Sequence, residues 1–273
     1  DPVKTEGGLS SGSAGESSNF LCYRALRLNY YAVTGLLARV CLYAGQRENA
    51  FNYSTEVIKA SNNGIFPFVD RSLVNGTAQD PDRIFSPEVL FALSDSQRGE
   101  LFEEYFDPSL APNMVFRMET DLLEQTIYGG TGTGGNLDDY RCRSNWISSG
   151  STRYFYKYSD MTESGRIENT MIPLLRLGEM YLIAAESQSN SLANGVSYVN
   201  TLRKNRGVSN LQTLTTTLLQ YEYIREVYGE GQLFFMYKRM YSSIIRSNSA
   251  TNNPAPSNAV FVVPLPDTET ENR

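Results

Sequence analysis

The alternation of apolar and polar positions between Ile172 and Gly207 predicts two amphipathic helices joined by a short turn. Apolar or small residues recur at helical spacing in both halves: Leu174, Leu177, Gly178, Tyr181, Leu182 and Ala185, followed by Leu192, Gly195, Val196, Val199 and Leu202. This spacing places each set on one face of a helix. Pro173 suits a first helical turn, and Gly207 supplies a stop. The stretch therefore predicts a helical hairpin.

The charged residues of this hairpin lie outside the apolar stripes. They are Arg176, Glu179 and Glu186 in the first predicted helix, and Arg203, Lys204 and Arg206 in the last turn of the second. Cations in a last turn interact favourably with the helix dipole. The pattern therefore gives these side chains no place in the predicted core.

The same periodicity predicts two further helical pairs. In residues 27–60 the apolar stripe is Leu28, Tyr31, Ala32, Gly35 and Leu36, after which Gly45 breaks the chain and Ala50, Tyr53, Val57 and Ile58 mark a second helix. In residues 218–240, Tyr221, Ile224, Val227 and Tyr228 share a face. Small residues at Ala38, Gly45 and Ala50 resemble the tetratricopeptide pattern. The fold class predicted is mostly α, with tetratricopeptide-like hairpins, long irregular insertions and a few short strands.

Residues 62–171 have an irregular sequence with many glycines and prolines. Residues 86–93, SPEVLFAL, read as a strand or a buried extended piece, and METDLLEQTIY reads as a helix. Long irregular stretches in a repeat protein commonly carry specific contacts. We therefore predict one domain over residues 1–273, with a helical scaffold at 20–61, 172–207 and 211–245, a ligand-binding insertion at 62–171 and an extended C-terminal segment at 246–273.

The amino-acid composition argues against several classes of functional site. The chain has no histidine, which removes histidine-based triads and histidine-ligated zinc. Its three cysteines form no CxxC, so a disulfide framework or zinc ribbon is not expected. A formal net charge of −6 gives no electrostatic attraction to nucleic acid or anionic membranes. No apolar run reaches the roughly 18 residues of a membrane span.

Two sequence patterns that resemble functional motifs give only weak evidence for a site. Gly130, Gly132 and Gly135 satisfy GxGxxG, but the strand before it and the helix after it that a dinucleotide site needs are not predicted. The carboxylates cluster as Glu103/Glu104, Glu119/Asp121/Glu124 and Asp138/Asp139. A glycosidase needs two carboxyls that face each other across a cleft, so solvated surface is the preferred interpretation. A structural calcium site at Asn136, Asp138 and Asp139 stays open, although the EF-hand spacing is absent.

A group of aromatic residues in the irregular region is the best candidate site. Its members, interleaved with polar side chains, are Tyr128, Tyr140, Trp146, Tyr154 and Tyr156, with Arg143 and Asn145 beside them. Aromatic faces stack on the apolar faces of sugar rings, while arginine and asparagine bind hydroxyl groups. The alternative is ordinary packing of loops on the helical scaffold. The region predicts ligand binding, with no catalytic and no metal residues.

Four segments, in this order, together resemble the SusD/RagB family of Bacteroidetes. They are RLNYYAVTGLLARVCLYAG (27–45), DRIFSPEVLFAL (82–93), IPLLRLGEMYLIAAES to VNTLRKNRG (172–207) and EYIREVYGEGQLFFMYKR (222–239). The ending NAVFVVPLPDTE (258–269) is similar to the closing segment of that family. The usual Glu-Gly-x-Arg is replaced by Glu230-Gly231-Gln232-Leu233, and Tyr223 stands where an arginine is usual.

The resemblance implies a surface lipoprotein of the outer membrane that uses no cofactor. It implies capture of an oligosaccharide or polysaccharide and delivery to a SusC-like TonB-dependent transporter, with membrane attachment only through an N-terminal lipid anchor absent from this chain. The family's N-terminal portion, with its lipidated cysteine and first helices, has no visible counterpart here. A peptide ligand or a purely protein-binding scaffold is the alternative, and a glycoside hydrolase is a third. No nucleic-acid partner is expected.

Overall fold

The computed structural model describes residues 27–75, 78, 80–149, 152–163, 165–188, 191–246 and 253–263. The fold is mostly α-helical with a few short strands, as the periodicity predicts. The predicted lead-in at residues 1–19 and Cys22 lie outside the described residues. Among the described helices, none combines the length and the apolar character that crossing a bilayer would require.

The first helical hairpin is confirmed. Helix α1 spans Tyr30–Tyr43 and helix α2 spans Arg47–Asn62. The side chain of Asn29 caps α1 by accepting a hydrogen bond from the backbone N–H of Ala32 at 2.9 Å. Gly45 joins the helices with a φ of +76°, a conformation that glycine adopts without a steric penalty. The predicted inner stripe is wrong at Leu28 and Leu36, which are exposed.

The start of the central hairpin is a strand and not a helix. Strand β5 spans Met171–Arg176 and pairs antiparallel with β1, Val89–Ser94, so Pro173 lies opposite Ala92. Proline is tolerated here because each strand of a two-stranded sheet is an edge. Helix α5 then begins at Leu177 and ends at Glu186. The prediction of a strand within residues 86–93 is confirmed.

Four helices complete the scaffold with α1 and α2: α5, α6 (Val196–Lys204), α7 (Thr216–Val227) and α8 (Leu233–Met240). Helix α5 packs against α1, α2, α6 and α7 and is buried on almost all sides. Gly207, with a φ of +72°, ends the α6 segment as predicted. The hydrophobic core therefore surrounds α5.

Residues 62–171 contain a second, three-stranded sheet. Its strands are β2 (Arg117–Glu119), β3 (Trp146–Ser149) and β4 (Thr152–Phe155), in the antiparallel order β2-β4-β3. Helix α3 (Arg98–Tyr105) precedes β2, and helix α4 (Tyr140–Asn145) leads directly into β3. The predicted METDLLEQTIY helix is only partly present, since β2 takes its first residues and a π-helix covers Leu122–Ile127.

The predicted extended C-terminal segment contains one helical turn, α9, at Asn258–Phe261. Phe261 is 3% exposed and its ring contacts those of Phe234 and Tyr241. Burial of this ring favours a local turn over an extended chain, because the turn brings the side chain back onto α8. Residues 264–273 lie outside the described part of the chain.

Candidate functional site

A buried network of ion pairs holds the three-stranded sheet on the helical scaffold. Among the described residues, six cations and five anions take part, each with a side chain at most 2% exposed: Arg141, Lys157, Arg176, Arg203, Arg206 and Arg225, with Glu88, Asp139, Glu222, Glu226 and Glu230. Buried charges are tolerated only when they are paired and hydrogen-bonded. This network corrects the prediction that Arg176, Arg203, Arg206 and Asp139 lie outside the core.

Two contacts tie the sheet to α7 and to the turn that follows it. Arg141, on α4 just before β3, donates to Glu222 at 3.0 Å and to Glu226 at 3.1 Å. Lys157, two residues after β4, forms an ion pair with Glu230. The sheet is therefore held at the beginning of β3 and at the end of β4, which fixes its orientation on the scaffold.

The buried charges shift the pKa values of Glu222 and Lys157. Burial alone would raise the pKa of Glu222, but Arg141, Arg225 and Arg203 outweigh it and lower that pKa to about 2. Burial and the neighbouring Arg176 lower the pKa of Lys157 to about 8, against the opposing effect of Glu230. Glu222 and Lys157 are therefore charges in structural ion pairs. Glu222 in particular is not an unpaired, protonated carboxyl of the kind that acts as a general acid.

The pleat of the sheet separates its aromatic residues into two faces. Trp146 lies opposite Phe155 and Met118 lies opposite Arg153 on the inner face, where Trp146, Phe155 and Met118 are at most 4% exposed. Tyr154 directly precedes Phe155 on β4, and its side chain therefore points to the other face, because side chains alternate along a strand. The rings of Trp146 and Phe155 are 5.0 Å apart. The inner face is thus part of the core.

The outer face of this sheet presents one aromatic ring among polar groups. Tyr154 lies between Arg117 on β2 and Ile147 on β3, which are its direct partners across the strands. Residues two positions away share this face, and they are Glu119, Ser149 and Thr152. The guanidinium of Arg117 donates to the hydroxyl of Thr152 at 3.4 Å. We call this set the outer sheet face.

The outer sheet face is exposed to solvent at its rim and half-buried at its centre. Tyr154, Arg117 and Thr152 are half-buried, whereas Glu119 and Ser149 are exposed and Ile147 is 37% exposed. Behind it, Arg153 donates through its Nε to Glu124 at 2.8 Å, which joins β4 to the π-helix. An aromatic ring fixed on a rigid strand beside a cation, a carboxylate and hydroxyls can bind a polyhydroxylated ring.

The other predicted site residues lie around this sheet but have different surroundings. Tyr128 is 1% exposed and Asn145 is 5% exposed. Tyr140 is half-buried against Val69, Val74 and Phe85. Tyr156 is half-buried, with its ring 5.1 Å from that of Phe102. Arg143 is exposed and pairs with Asp138 at 2.6 Å. Of the seven predicted residues, Tyr154 alone belongs to the outer sheet face.

The glycine motif is packed against the scaffold. Arg225 donates to the carbonyl oxygen of Thr133 at 2.8 Å, and Gly135 lies so close to the backbone of Tyr128 that a side chain would not fit. A short 3₁₀ turn, Thr131–Thr133, occupies the motif, so it does not open a helix onto a phosphate. Among the described residues, no cluster of three potential metal ligands is present.

Sequence reasoning missed Arg117, Glu119 and Thr152 as neighbours of Tyr154. The alternation in Thr152–Phe155 is a weak strand signal, and nothing in it shows that residues 117–119 pair with it. Only the register of the sheet brings these side chains together.

Comparison with known proteins identifies the family. The model of the SusD family (SusD_RagB) matches residues 95–260, more than half of the chain. No curated protein matches it. Solved structures with the same fold include a SusD-like carbohydrate binding protein from Bacteroides vulgatus ATCC 8482, with 16% identity and a TM-score of 0.63 over 96% of this chain.

Two further structures are similar. A SusD superfamily protein from Bacteroides thetaiotaomicron VPI-5482 has 19% identity and a TM-score of 0.62, covering 99% of this chain and 71% of its own. A laminarin binding SusD-like protein has 17% identity and a TM-score of 0.50, covering 86% and 58%. This chain covers 60% of the Bacteroides vulgatus protein, so it spans about three fifths of that relative's length. The family match and the shared fold agree with the resemblance in the sequence: the chain belongs to the SusD family.

Proposed function

We propose that this chain is a cell-surface glycan-binding protein that captures an oligosaccharide or polysaccharide and passes it to a SusC-like TonB-dependent transporter. The observation that carries the proposal is membership of the SusD family. Similar folds named as carbohydrate binding and laminarin binding support a glycan as the class of ligand. The protein acts at the outer membrane, and it binds its ligand without changing it.

The outer sheet face is the proposed binding surface. The ring of Tyr154 stacks on a sugar ring, while Arg117, Glu119 and Thr152 hydrogen-bond its hydroxyls. Tyr156, Tyr140, Arg143 and Asn145 extend or support this surface. Trp146 supports it from the buried side of the sheet, where its ring packs on that of Phe155. The ring of Tyr128 is buried as well and supports the ligand region without contacting the ligand.

The first experiment is affinity electrophoresis of the wild-type chain in native gels that contain plant, host or microbial polysaccharides. Retardation by at least one polysaccharide is the expected result, and it would identify the class of glycan. Migration that none of the polysaccharides slows, with a folded protein by circular dichroism, would contradict glycan capture. Co-purification with the transporter alone would then favour the protein-binding alternative.

A glycoside hydrolase is disfavoured by the surroundings of the carboxylates. Glu222, Glu226 and Glu230 are buried and paired with arginine or lysine, and Glu124 is paired with Arg153. Glu119 lies on the outer sheet face, but a glycosidase needs a second carboxyl across the scissile bond. Incubation with a retained polysaccharide is expected to release no new reducing ends, and their release would overturn the non-enzymatic assignment.

A further inference from the structure

Arg117 is the cation of the outer sheet face. It lies on β2 directly opposite Tyr154 on β4, and the Cβ atoms of such cross-strand partners are about 5 Å apart. Both residues are half-buried, and β4 is the central strand of the sheet. Their side chains leave the same side of a rigid backbone, so a sugar stacked on the ring of Tyr154 lies beside the guanidinium of Arg117.

Arg117 differs from the other cations on and beside this sheet. Each of the others forms an ion pair with a carboxylate, and they are Arg141, Arg143, Arg153 and Lys157. Within the described part of the chain, Arg117 pairs with no carboxylate. Its hydrogen bond goes to the neutral hydroxyl of Thr152 at 3.4 Å, which is long for an N–H···O bond. Since a guanidinium has five N–H donors, most of the donors of Arg117 are available to a ligand.

The carboxylate of the outer sheet face lies at its other end. Glu119 is opposite Thr152, which is in turn opposite Ser149, so these three residues form a second row across the strands. This row is about 7 Å from the row of Arg117 and Tyr154, because that is the rise of two residues along a strand. Glu119 is exposed. One end of the face therefore attracts a negatively charged group, and the other end repels one.

From this arrangement we propose that the outer sheet face selects an acidic glycan in which a uronic acid unit is followed by a neutral unit. The inference rests on the proposed function, because it specifies the ligand of the same surface. The uronic acid ring stacks on Tyr154, and its carboxylate accepts two hydrogen bonds from Arg117, in place of a hydroxyl. The neutral unit lies over Thr152 and Ser149, where a second carboxylate would meet Glu119.

A carboxylate is favoured over a hydroxyl at Arg117 for electrostatic reasons. Hydrogen bonds between a guanidinium and a carboxylate are charge-assisted, and they are roughly twice as strong as bonds between neutral groups. Arg117 is half-buried, so solvent weakens this attraction less than it would at a fully exposed position. The formal net charge of −6 gives the chain no general attraction for an anionic polymer. Selectivity for an acidic unit therefore depends on this one contact.

The test is affinity electrophoresis and titration of the full chain with three polymers that alternate glucuronic acid with a neutral amino sugar through different linkages: hyaluronan, chondroitin and heparosan. Each is compared with its own carboxyl-reduced form, in which the carboxylate has become a neutral hydroxymethyl group. We expect at least one acidic polymer to bind, and its reduced form to bind about tenfold more weakly. Arg117→Gln should weaken binding of the acidic polymer by a similar factor and leave binding of the reduced form unchanged.

Two further variants locate the effect. Arg47→Gln removes the same charge from an exposed arginine at the start of α2, outside the sheet, and should bind the acidic polymer as the wild type does. Glu119→Gln tests the second row. It should bind polygalacturonate, in which every unit is acidic, about threefold or more tightly than the wild type does, because repulsion of the second carboxylate is removed.

The outcomes separate the acidic ligand from glycan capture itself. Equal binding of an acidic polymer and its reduced form, retardation only by neutral polysaccharides such as dextran, or an equal loss in Arg117→Gln and Arg47→Gln would overturn the acidic ligand and leave glycan capture standing. Tighter binding of polygalacturonate than of the alternating polymers by the wild type would do the same. Retardation by no polysaccharide, acidic or neutral, would contradict both proposals.

Discussion

At the scale of single residues, the pleat of the three-stranded sheet assigns different roles to neighbouring aromatic rings. Trp146 and Phe155 face inward, while Tyr154 faces outward between Arg117 and Ile147. All three come from a stretch in which composition alone favours sugar binding. Their orientations differ because neighbouring residues of a strand point to opposite faces of the sheet, so a difference of one position reverses the face.

Trp146→Ala is expected to destabilise the protein. The ring is 4% exposed and lies 5.1 Å from that of Tyr228, so its removal leaves a cavity in the core. Loss of a buried tryptophan costs about 3–5 kcal/mol. Urea unfolding followed by circular dichroism measures the change. A Trp146→Ala protein as stable as the wild type would show that the inner face of the sheet is not part of the core.

Glu226→Gln is expected to cost about 3–5 kcal/mol of unfolding free energy, the range for breaking a buried ion pair. The carboxylate accepts hydrogen bonds from Arg141, Arg176 and Arg206, all buried. A neutral amide leaves these cations under-compensated. The measurement is urea unfolding at neutral pH.

The matched control for Glu226→Gln is Arg143→Ala. Arg143 and Asp138 form an exposed pair, with side chains 51% and 74% exposed, and such pairs contribute at most about 1 kcal/mol. If both variants lost equal stability, the buried network would have no special role in holding the sheet on the scaffold.

The network could not be read from the sequence because its members come from six separate segments. Glu222, Glu226 and Glu230 recur every four residues, a spacing equally typical of a solvated helix face. Their partners Arg141 and Arg206 are 81 and 20 residues away from Glu222 and Glu226 respectively. Sequence periodicity reports which residues share a face, but not whether that face meets other charges in the interior.

At the scale of elements, α5 and the segment before α6 can approach closely because Gly195 has no side chain. A Cβ on Gly195 would collide with the carbonyl group of Ala185. Because backbone cannot move aside as a flexible side chain does, the two segments would have to separate. The small residue at Gly195 therefore allows the contact with Ala185, whereas Gly178 leaves room for the side chain of Glu226 on α7.

Gly195→Ala is therefore expected to lower the melting temperature, whereas Gly132→Ala is the matched control. A Cβ on Gly132 would meet no atom within 4 Å. Thermal unfolding of the two variants measures the difference. A Gly195→Ala protein that melts with or above the control would contradict the close packing of α5 on this segment.

The helical elements were predictable and the strand β5 was not. In α1 and α2 the apolar period continues over many residues, so it identifies a helix with little ambiguity. Residues 172–176 are a short apolar run, which fits a strand and the start of a helix equally well. The deciding interaction is the pairing with β1, whose first residue is 87 positions before its partner Arg176. A local pattern does not contain that information.

At the scale of the whole molecule, the buried charges predict a decline of stability in acid. The pKa of Glu222 is about 2 in the folded protein and 4.5 as the unperturbed value, so the unfolded chain binds the proton first as pH falls. Its stabilising contribution is complete above about pH 4.5 and is lost as pH falls towards 2. The pKa of Glu226 is also lowered, because its arginine partners outweigh burial, so it acts in the same direction.

This pH dependence is measured by the urea midpoint between pH 6 and pH 2. We expect a steady decrease below about pH 4.5, with the same profile for Asp138→Asn, since Asp138 belongs to the exposed pair. A midpoint that does not change over this interval would contradict the assignment of Glu222 and Glu226 as ionised members of the buried network.

The central claim is that a SusD-family scaffold presents a glycan-binding surface on the outer sheet face. The most direct test compares Tyr154→Ala with Tyr53→Ala, a half-buried tyrosine on α2 in the helical layer, by titration with the polysaccharide that retards the wild type. We predict that Tyr154→Ala binds at least about tenfold more weakly, a loss of about 1.4 kcal/mol, while Tyr53→Ala binds as the wild type does. Equal affinities for the wild type and a folded Tyr154→Ala would contradict the claim.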